Sequence, residues 1–174
     1  MKDQRQDPVF AYTSPNGVLD ELNNRILIEL QCEPRLTMAE LGRRVGLSSP
    51  AVTERVRRLE EAGVIRGYRL DVDPAALGLP LAAYVRVRPH TGQLSRIAEL
   101  ARSIPEIVEC HRVTGEDCFI MKVYIPAMDQ LDRLLDRFLV YGSTTTSIIQ
   151  SSPVPLRAVP VDRHTDAHWG RGGK

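Results

Sequence analysis

The chain has 174 residues, of which 43% are hydrophobic and 26% charged, and its formal net charge is +1. That is enough for one mid-sized domain or two small ones with packed cores. It excludes a polycation held to nucleic acid by bulk charge, so any affinity for a duplex must come from a local asymmetry.

The opening MKDQRQDPVFAYTSPNG lacks an apolar run with a small-residue cleavage site, and no later stretch is long and apolar enough for a bilayer. A cytoplasmic protein with no membrane partner is expected. Cys32, Cys110 and Cys118 are odd in number and show no C-x-x-C spacing. This argues against a disulfide framework or structural zinc and for reduced, buried thiols.

Residues 1–16 are polar and without period, which predicts a flexible arm. Order begins near Leu19, where Leu22, Ile26, Leu27 and Leu30 repeat with helical spacing behind Asp20 and Glu21, two acids suited to a helix N-terminus. The first helix is predicted over 19–32. In LTMAELGRRVG, Thr37 followed by Glu40 has capping-box spacing, and Gly46 supplies a left-handed stop. Ser48 or Ser49 then caps a third helix with Pro50 in its first turn. Two helices joined by so short a link must cross steeply, which is helix-turn-helix geometry.

On the third helix Val52, Val56 and Leu59 fall on one side, leaving Pro50, Thr53, Glu54, Arg57 and Arg58 outward. Residues 43–69 hold seven arginines against three glutamates. A solvated helix laced with Glu54–Arg58 and Arg57–Glu61 pairs would explain this composition as surface chemistry. The capped short helix, glycine turn and serine start together point instead to a DNA-reading helix, its N-terminus toward phosphate and its outward side chains toward base edges. After Gly63, residues 64–69 are expected to form a β wing.

Past Pro74 and Pro80 the period changes. Leu81, Ala83, Val85 and Val87 alternate with polar neighbours as a half-buried strand. Leu94, Ile97, Ala98, Ala101 and Ile104 make a helical stripe, and 107–113 reads as a strand. The unit then repeats: a strand over 118–125, a helix marked by Met128, Leu131, Leu135 and Phe138, and a strand over 143–150. The order β-α-β-β-α-β is that of a ferredoxin-like antiparallel sheet with two helices on one face. Its other face is left for a partner, most economically a second copy. Thr114, Gly115, Glu116 and Asp117 form an acidic turn between the halves. It is either plain turn chemistry or a seat for a small cationic or zwitterionic ligand, with the Thr144–Ser147 hydroxyls nearby. Residues 157–174 predict a flexible tail, whose His164 and His168 lack a third metal ligand.

The blocks LDELNNRILIELQ, LTMAELGRRVGLSSPAVTERVRRLEEAGVIRGY, VTGEDCFIMKV and TTTSII together resemble the Lrp/AsnC family of transcriptional regulators, over about Leu19 to Val154. The resemblance implies an α+β chain, not an enzyme: a winged helix-turn-helix DNA-binding domain (17–69), a linker strand (70–80) and an αβ-sandwich domain for effector binding and oligomerisation (81–156). It implies sequence-specific transcriptional regulation on double-stranded DNA, homodimers assembling to tetramers or octamers, and no cofactor beyond an amino-acid effector. By position it places Ser48, Ser49, Pro50, Thr53, Glu54, Arg57 and Arg58 at the DNA. Thr114, Gly115, Glu116, Asp117, Cys118, Thr145, Thr146, Ser147 and Ile148 would line the effector pocket. Asn23 and Cys118 stand where the family often has aspartate, and the second departure bears on effector specificity. Competing readings are an architectural DNA-compacting protein and a haem-biosynthesis decarboxylase on the same scaffold, for which His111 is the one histidine in the expected sheet.

Overall fold

The computed structural model describes residues 18–161. These fall into two compact units: the residues up to Arg69 together with those from Leu156 onward, and Leu70–Pro155. The expected arm over 1–16, His164 and His168 lie outside the described residues.

The first unit contains three helices, α1 (Glu21–Cys32), α2 (Met38–Val45) and α3 (Ser49–Glu61). Each begins where a side chain satisfies an orphan amide. Asp20 accepts from the Asn23 amide at 2.6 Å, Thr37 from Glu40 at 3.2 Å, and Ser48 from Ala51 at 3.4 Å. The capping box at α2 is only half formed, because the Glu40 carboxylate is taken by Arg43 and Arg44. Gly46 ends α2 at φ 77°, and the Leu47 amide reaches back to the Gly42 carbonyl at 2.8 Å. Eight buried apolar side chains close the core: Ile26, Leu30, Leu36, Leu41, Val45, Val52, Val56 and Leu59.

Two expected strands are corrected. Residues 64–69 form no strand; Val64 and Ile65 instead pack against the helical core, their amides bonded to the Leu59 carbonyl. The 70–80 connection is likewise not a strand but an exposed segment with a 3₁₀ turn at Ala75–Leu77. Neither segment has a ladder partner among the described residues of the single chain, and a strand exists only through its ladder.

The second unit runs β1 (Leu81–Pro89), α4 (Leu94–Arg102), β2 (Ile107–Arg112), β3 (Phe119–Ile125), α5 (Met128–Leu139) and β4 (Gly142–Ile148). The sheet order is β2-β3-β1-β4, every pair antiparallel. This is the ferredoxin-like arrangement the alternation predicts. Ala83, Val85, Val87, Phe119, Met121, Val123 and Ile125 bury one sheet face against Ile97, Ala101, Leu131, Leu134 and Phe138. The opposite face carries Tyr84, Arg86, Arg88, Lys122 and Tyr124, with the Lys122 ammonium 5.2 Å from the Tyr124 ring centre. It is a polar face, not an apolar one.

The thiols also differ from expectation. All three are free, but Cys32 and Cys110 are exposed and Cys118 is half-buried. Helical spacing and strand alternation locate hydrophobic stripes; a small side chain at an element's edge escapes both.

Candidate functional site

The outward face of α3 is built as the sequence predicts. Val52, Val56 and Leu59 are buried, while Ser48, Ser49, Pro50, Thr53, Arg57 and Arg58 are exposed and Glu54 is half-buried. Pro50 occupies the first turn, where its missing N–H costs nothing. Thr53 donates its hydroxyl to the Ser49 carbonyl at 2.7 Å, so its oxygen faces outward as an acceptor. The first turn is therefore open to an anion or a groove edge.

The charge on this face is not free. Arg57 grips Glu54 through two parallel bonds of 2.9 and 2.7 Å and also bonds Glu61, while Arg58 donates to Glu54 at 2.8 Å. The Arg57 bond foremost, then Arg58, holds the Glu54 carboxyl down to about 2. Arg43 and Arg44 share Glu40, Arg44 also reaches Glu29 and Glu33, and Arg55 turns to Asp20 at 2.6 Å. Over residues 18–69 nine arginines face eight acids. The expected surplus of positive charge is thus offset in the free protein: Glu54 and Glu61 of α3 itself hold Arg57 and Arg58, while Asp20, Glu29, Glu33 and Glu40, which a count over 43–69 leaves out, hold Arg55, Arg43 and Arg44. The pairs are solvent-exposed and screened, so each is weak and a phosphate competes for it readily.

Beneath this face lies a buried polar node around Asn23, which the sequence marked only as a departure from the family's aspartate and not as a structural tie. Asn23, 7% exposed, donates to the Val18 carbonyl and accepts from Arg55 at 2.9 Å, and the same Arg55 nitrogen bonds Asp20. It ties α3 to the start of α1. The signal for that tie was an asparagine standing inside an apolar helical stripe.

In the second unit the turn Thr114–Cys118 closes through a 2.8 Å bond from the Val113 amide to the Cys118 carbonyl, with Gly115 at φ 111°. The Cys118 thiol lies 3.6 Å from the Gly115 carbonyl. Both turn carboxylates face arginines of β1: Glu116 pairs with Arg88, and Asp117 lies 3.6 Å from Arg88 and 3.9 Å from Arg86. Strand register puts Thr145 opposite Arg86 and Ser147 opposite Tyr84, on the helix-free face, whereas Thr146 and Ile148 sit opposite Val85 and Ala83 and so belong to the other face. The nine candidate residues are not brought together as one set. Thr145, Ser147 and the acidic turn share a face, with Arg86 and Arg88 between them. Those two arginines were legible only as outward positions of an alternating strand.

His111 is exposed on edge strand β2, its Nε2 3.5 Å from Glu109. Among the described residues no group of three or more His, Cys, Asp or Glu is placed to hold a metal, and no helix is long and apolar enough to cross a membrane.

Comparison with known proteins agrees with both units. Residues 19–66 match the family model for winged helix-turn-helix DNA-binding, and residues 82–159 the model for the Lrp/AsnC ligand binding domain. The chain is 35% identical to the HTH-type transcriptional regulator LrpC of Bacillus subtilis over 133 residues, 76% of this chain and 92% of the relative. To the HTH-type transcriptional regulator LrpA of Mycobacterium tuberculosis it is 34% identical over 149 residues, 85% and 97% of the two chains. The solved LrpC structure superposes with a TM-score of 0.73, covering 76% of this chain and 95% of that one. A Neisseria meningitidis transcriptional regulator in complex with L-Met gives 0.74 at 27% identity, covering 80% and 94%.

Proposed function

The chain belongs to the Lrp/AsnC family of transcriptional regulators, and from that premise we propose how its parts divide the work of a DNA-binding regulator that is not an enzyme. Residues 17–69 read double-stranded DNA, 70–80 connect, and 81–156 take an effector and assemble copies of the chain in the cytoplasm. Ser48, Ser49, Pro50 and Thr53 approach the backbone, Arg57 and Arg58 divide between phosphate and base edges, and Glu54 faces base edges. The observation that carries this reading is the exposed, serine-capped start of α3 set by the left-handed turn at Gly46.

The effector is an amino acid on this reading. The ligand-binding-domain match and the L-Met held by the Neisseria relative support that class. A zwitterion offers the Glu116 and Asp117 carboxylates an ammonium, and Arg86 and Arg88 a carboxylate, the partners these groups now supply to each other. Thr145 and Ser147 add hydroxyls on the same face. That polar face also carries self-association, from a dimer to a tetramer or octamer. The relatives, being regulators, favour neither DNA compaction nor decarboxylation.

Footprinting over the gene's own upstream region tests the DNA reading. Protected repeats at helical spacing and affinity falling steeply with salt are expected; uniform coating, or binding insensitive to salt, overturns it. Thermal-shift screening with the standard amino acids tests the effector, since a ligand of the folded state raises the melting temperature. No shift with any of them removes the amino-acid effector and leaves the DNA reading standing.

A further inference from the structure

We propose that Glu54 is a specificity-determining residue of the DNA contact, which holds Arg57 and Arg58 in carboxylate pairs so that a generic duplex has to displace it to reach them. The inference rests on the DNA reading above and assigns one residue of that face a role opposite to attraction.

Glu40 forks Arg43 and reaches Arg44 in the same way on α2; what sets Glu54 apart is that it does so on the outward face of α3. The Glu54 Oε1 accepts from Arg57 Nη2 at 2.7 Å and from Arg58 Nε at 2.8 Å, and its Oε2 accepts from Arg57 Nε at 2.9 Å. One carboxylate thus occupies both outward arginines, at i+3 and i+4, with the acid on the N-terminal side, the orientation in which such pairs are strongest on a helix. The fork on Arg57 uses the same two-pronged edge that a phosphate or a guanine would take. Glu61 bonds the remaining Nη1 of Arg57. Arg57 is therefore engaged on all three nitrogens, whereas Arg58 is engaged only through Nε.

Two consequences follow for a duplex of arbitrary sequence. It must break these bonds before it gains phosphate contacts, and it then meets the negative charge of Glu54 at close range. Both penalties apply in full to any sequence that offers the carboxylate no donor. A cognate site escapes part of them where a cytosine amino group meets the carboxylate, since Glu accepts from that donor in the major groove. Discrimination by a built-in repulsive element is a general route to specificity.

The test compares the full chain with Glu54→Gln, binding a mixed-sequence duplex and the duplex protected in the footprint, across a salt series. Glu99→Gln is the control: it removes the same charge from an exposed pair with Arg96 in the other unit. Glu54→Gln is expected to tighten mixed-sequence binding roughly fivefold to tenfold at low salt, from two weak exposed pairs released. It should also steepen the logarithmic salt slope by about one phosphate, and reduce the preference for the protected duplex, while Glu99→Gln does neither. Unchanged or weaker mixed-sequence binding by Glu54→Gln, or equal tightening by the control, overturns the proposal while parent binding leaves the DNA reading intact. Absence of duplex binding by the parent overturns both.

Discussion

Gly42 lies inside α2, where glycine costs roughly 1 kcal/mol relative to alanine, so Gly42→Ala would stabilise the helix if space allowed. Space does not allow it. A Cβ there would sit 2.7 Å from the Leu47 carbonyl oxygen and 3.4 Å from the Ser48 carbonyl carbon. Both are backbone atoms of the turn between α2 and α3, which no rotamer change can move. The turn itself must shift, against the 2.8 Å bond that the Leu47 amide makes to the Gly42 carbonyl. Overpacking of this kind costs roughly 1–3 kcal/mol. Net of the propensity gain, the variant should lose on the order of 1 kcal/mol, read from urea unfolding of the helical unit by far-UV circular dichroism. Because the displaced atoms lead directly into Ser48, the cap of α3, duplex affinity should also fall under conditions where the variant is fully folded. Gly46→Ala is the informative comparison. A Cβ there meets nothing within 4 Å, and the penalty comes only from φ 77°, about 1–2 kcal/mol for a left-handed residue. A Gly42→Ala protein as stable as its parent, with unchanged duplex affinity, would refute the close approach as the reason for glycine in α2.

Gly142→Ala should destabilise the second unit by about 2–3 kcal/mol, because its Cβ would overlap the Arg88 carbonyl oxygen and lie 3.1 Å from Pro89 Cα; hydrogen exchange should rise in β1 and β4 while α1–α3 keep their protection, and equal rates throughout would count against it. Asn23→Ala strips the buried node of its bonds to Val18 and Arg55 and should cost roughly 1–3 kcal/mol in urea unfolding. Asn23→Asp keeps the acceptor for Arg55 but turns a carboxylate on the Val18 carbonyl, and its loss should fall between zero and that of alanine. The pH dependence has a defined sign. Glu40 and Glu54 are held at about 2, against an ordinary 4.5, by hydrogen bonds first from Arg43 and from Arg57 respectively. A folded-state pKa depressed in this way adds stability that is present above 4.5 and lost as pH falls toward 2. Helicity should therefore decline across that window more at low than at high salt, since both pairs face solvent, and an identical decline at both salts would remove these pairs from the explanation.

Elements defined by local chemistry were legible in the sequence. Thr37 and Ser48 mark helix starts because a side chain satisfies an amide three residues on, Asp20, read as a first-turn acid, proves to be the cap of α1, and the alternation from Leu81 to Val87 marks β1 because one face must be buried. Elements defined by a distant partner were not. Residues 64–69 have strand-like composition and a strand over 70–80 is implied only by the family resemblance, yet strand formation depends on a neighbouring chain segment that neither supplies. The capping box failed for the same reason on a smaller scale. Thr37 does its half, but Glu40 had two arginines within reach and took those bonds instead.

The site followed the same division. Exposure of the α3 face follows from the burial of Val52, Val56 and Leu59, which helical spacing reveals. Its outward pairs, Arg57 with Glu54 and Glu61 and Arg58 with Glu54, are local and follow from helical spacing; the pairs a window misses join distant segments, Arg55 with Asp20 and Arg44 with Glu29 and Glu33, and in the second unit Arg88 with Glu116. A window of sequence counts charges, whereas the folded surface presents their field. With nine arginines nearly matched by eight acids over 18–69, that field is weak at long range, and electrostatic steering contributes little to encounter. Binding strength must then arise after contact, when phosphates replace carboxylates around Arg57 and Arg58. That exchange still releases counterions and still makes affinity fall with salt. Its signature is a salt effect carried mainly by the dissociation rate, because a chain with little net field gains little speed of approach for salt to remove.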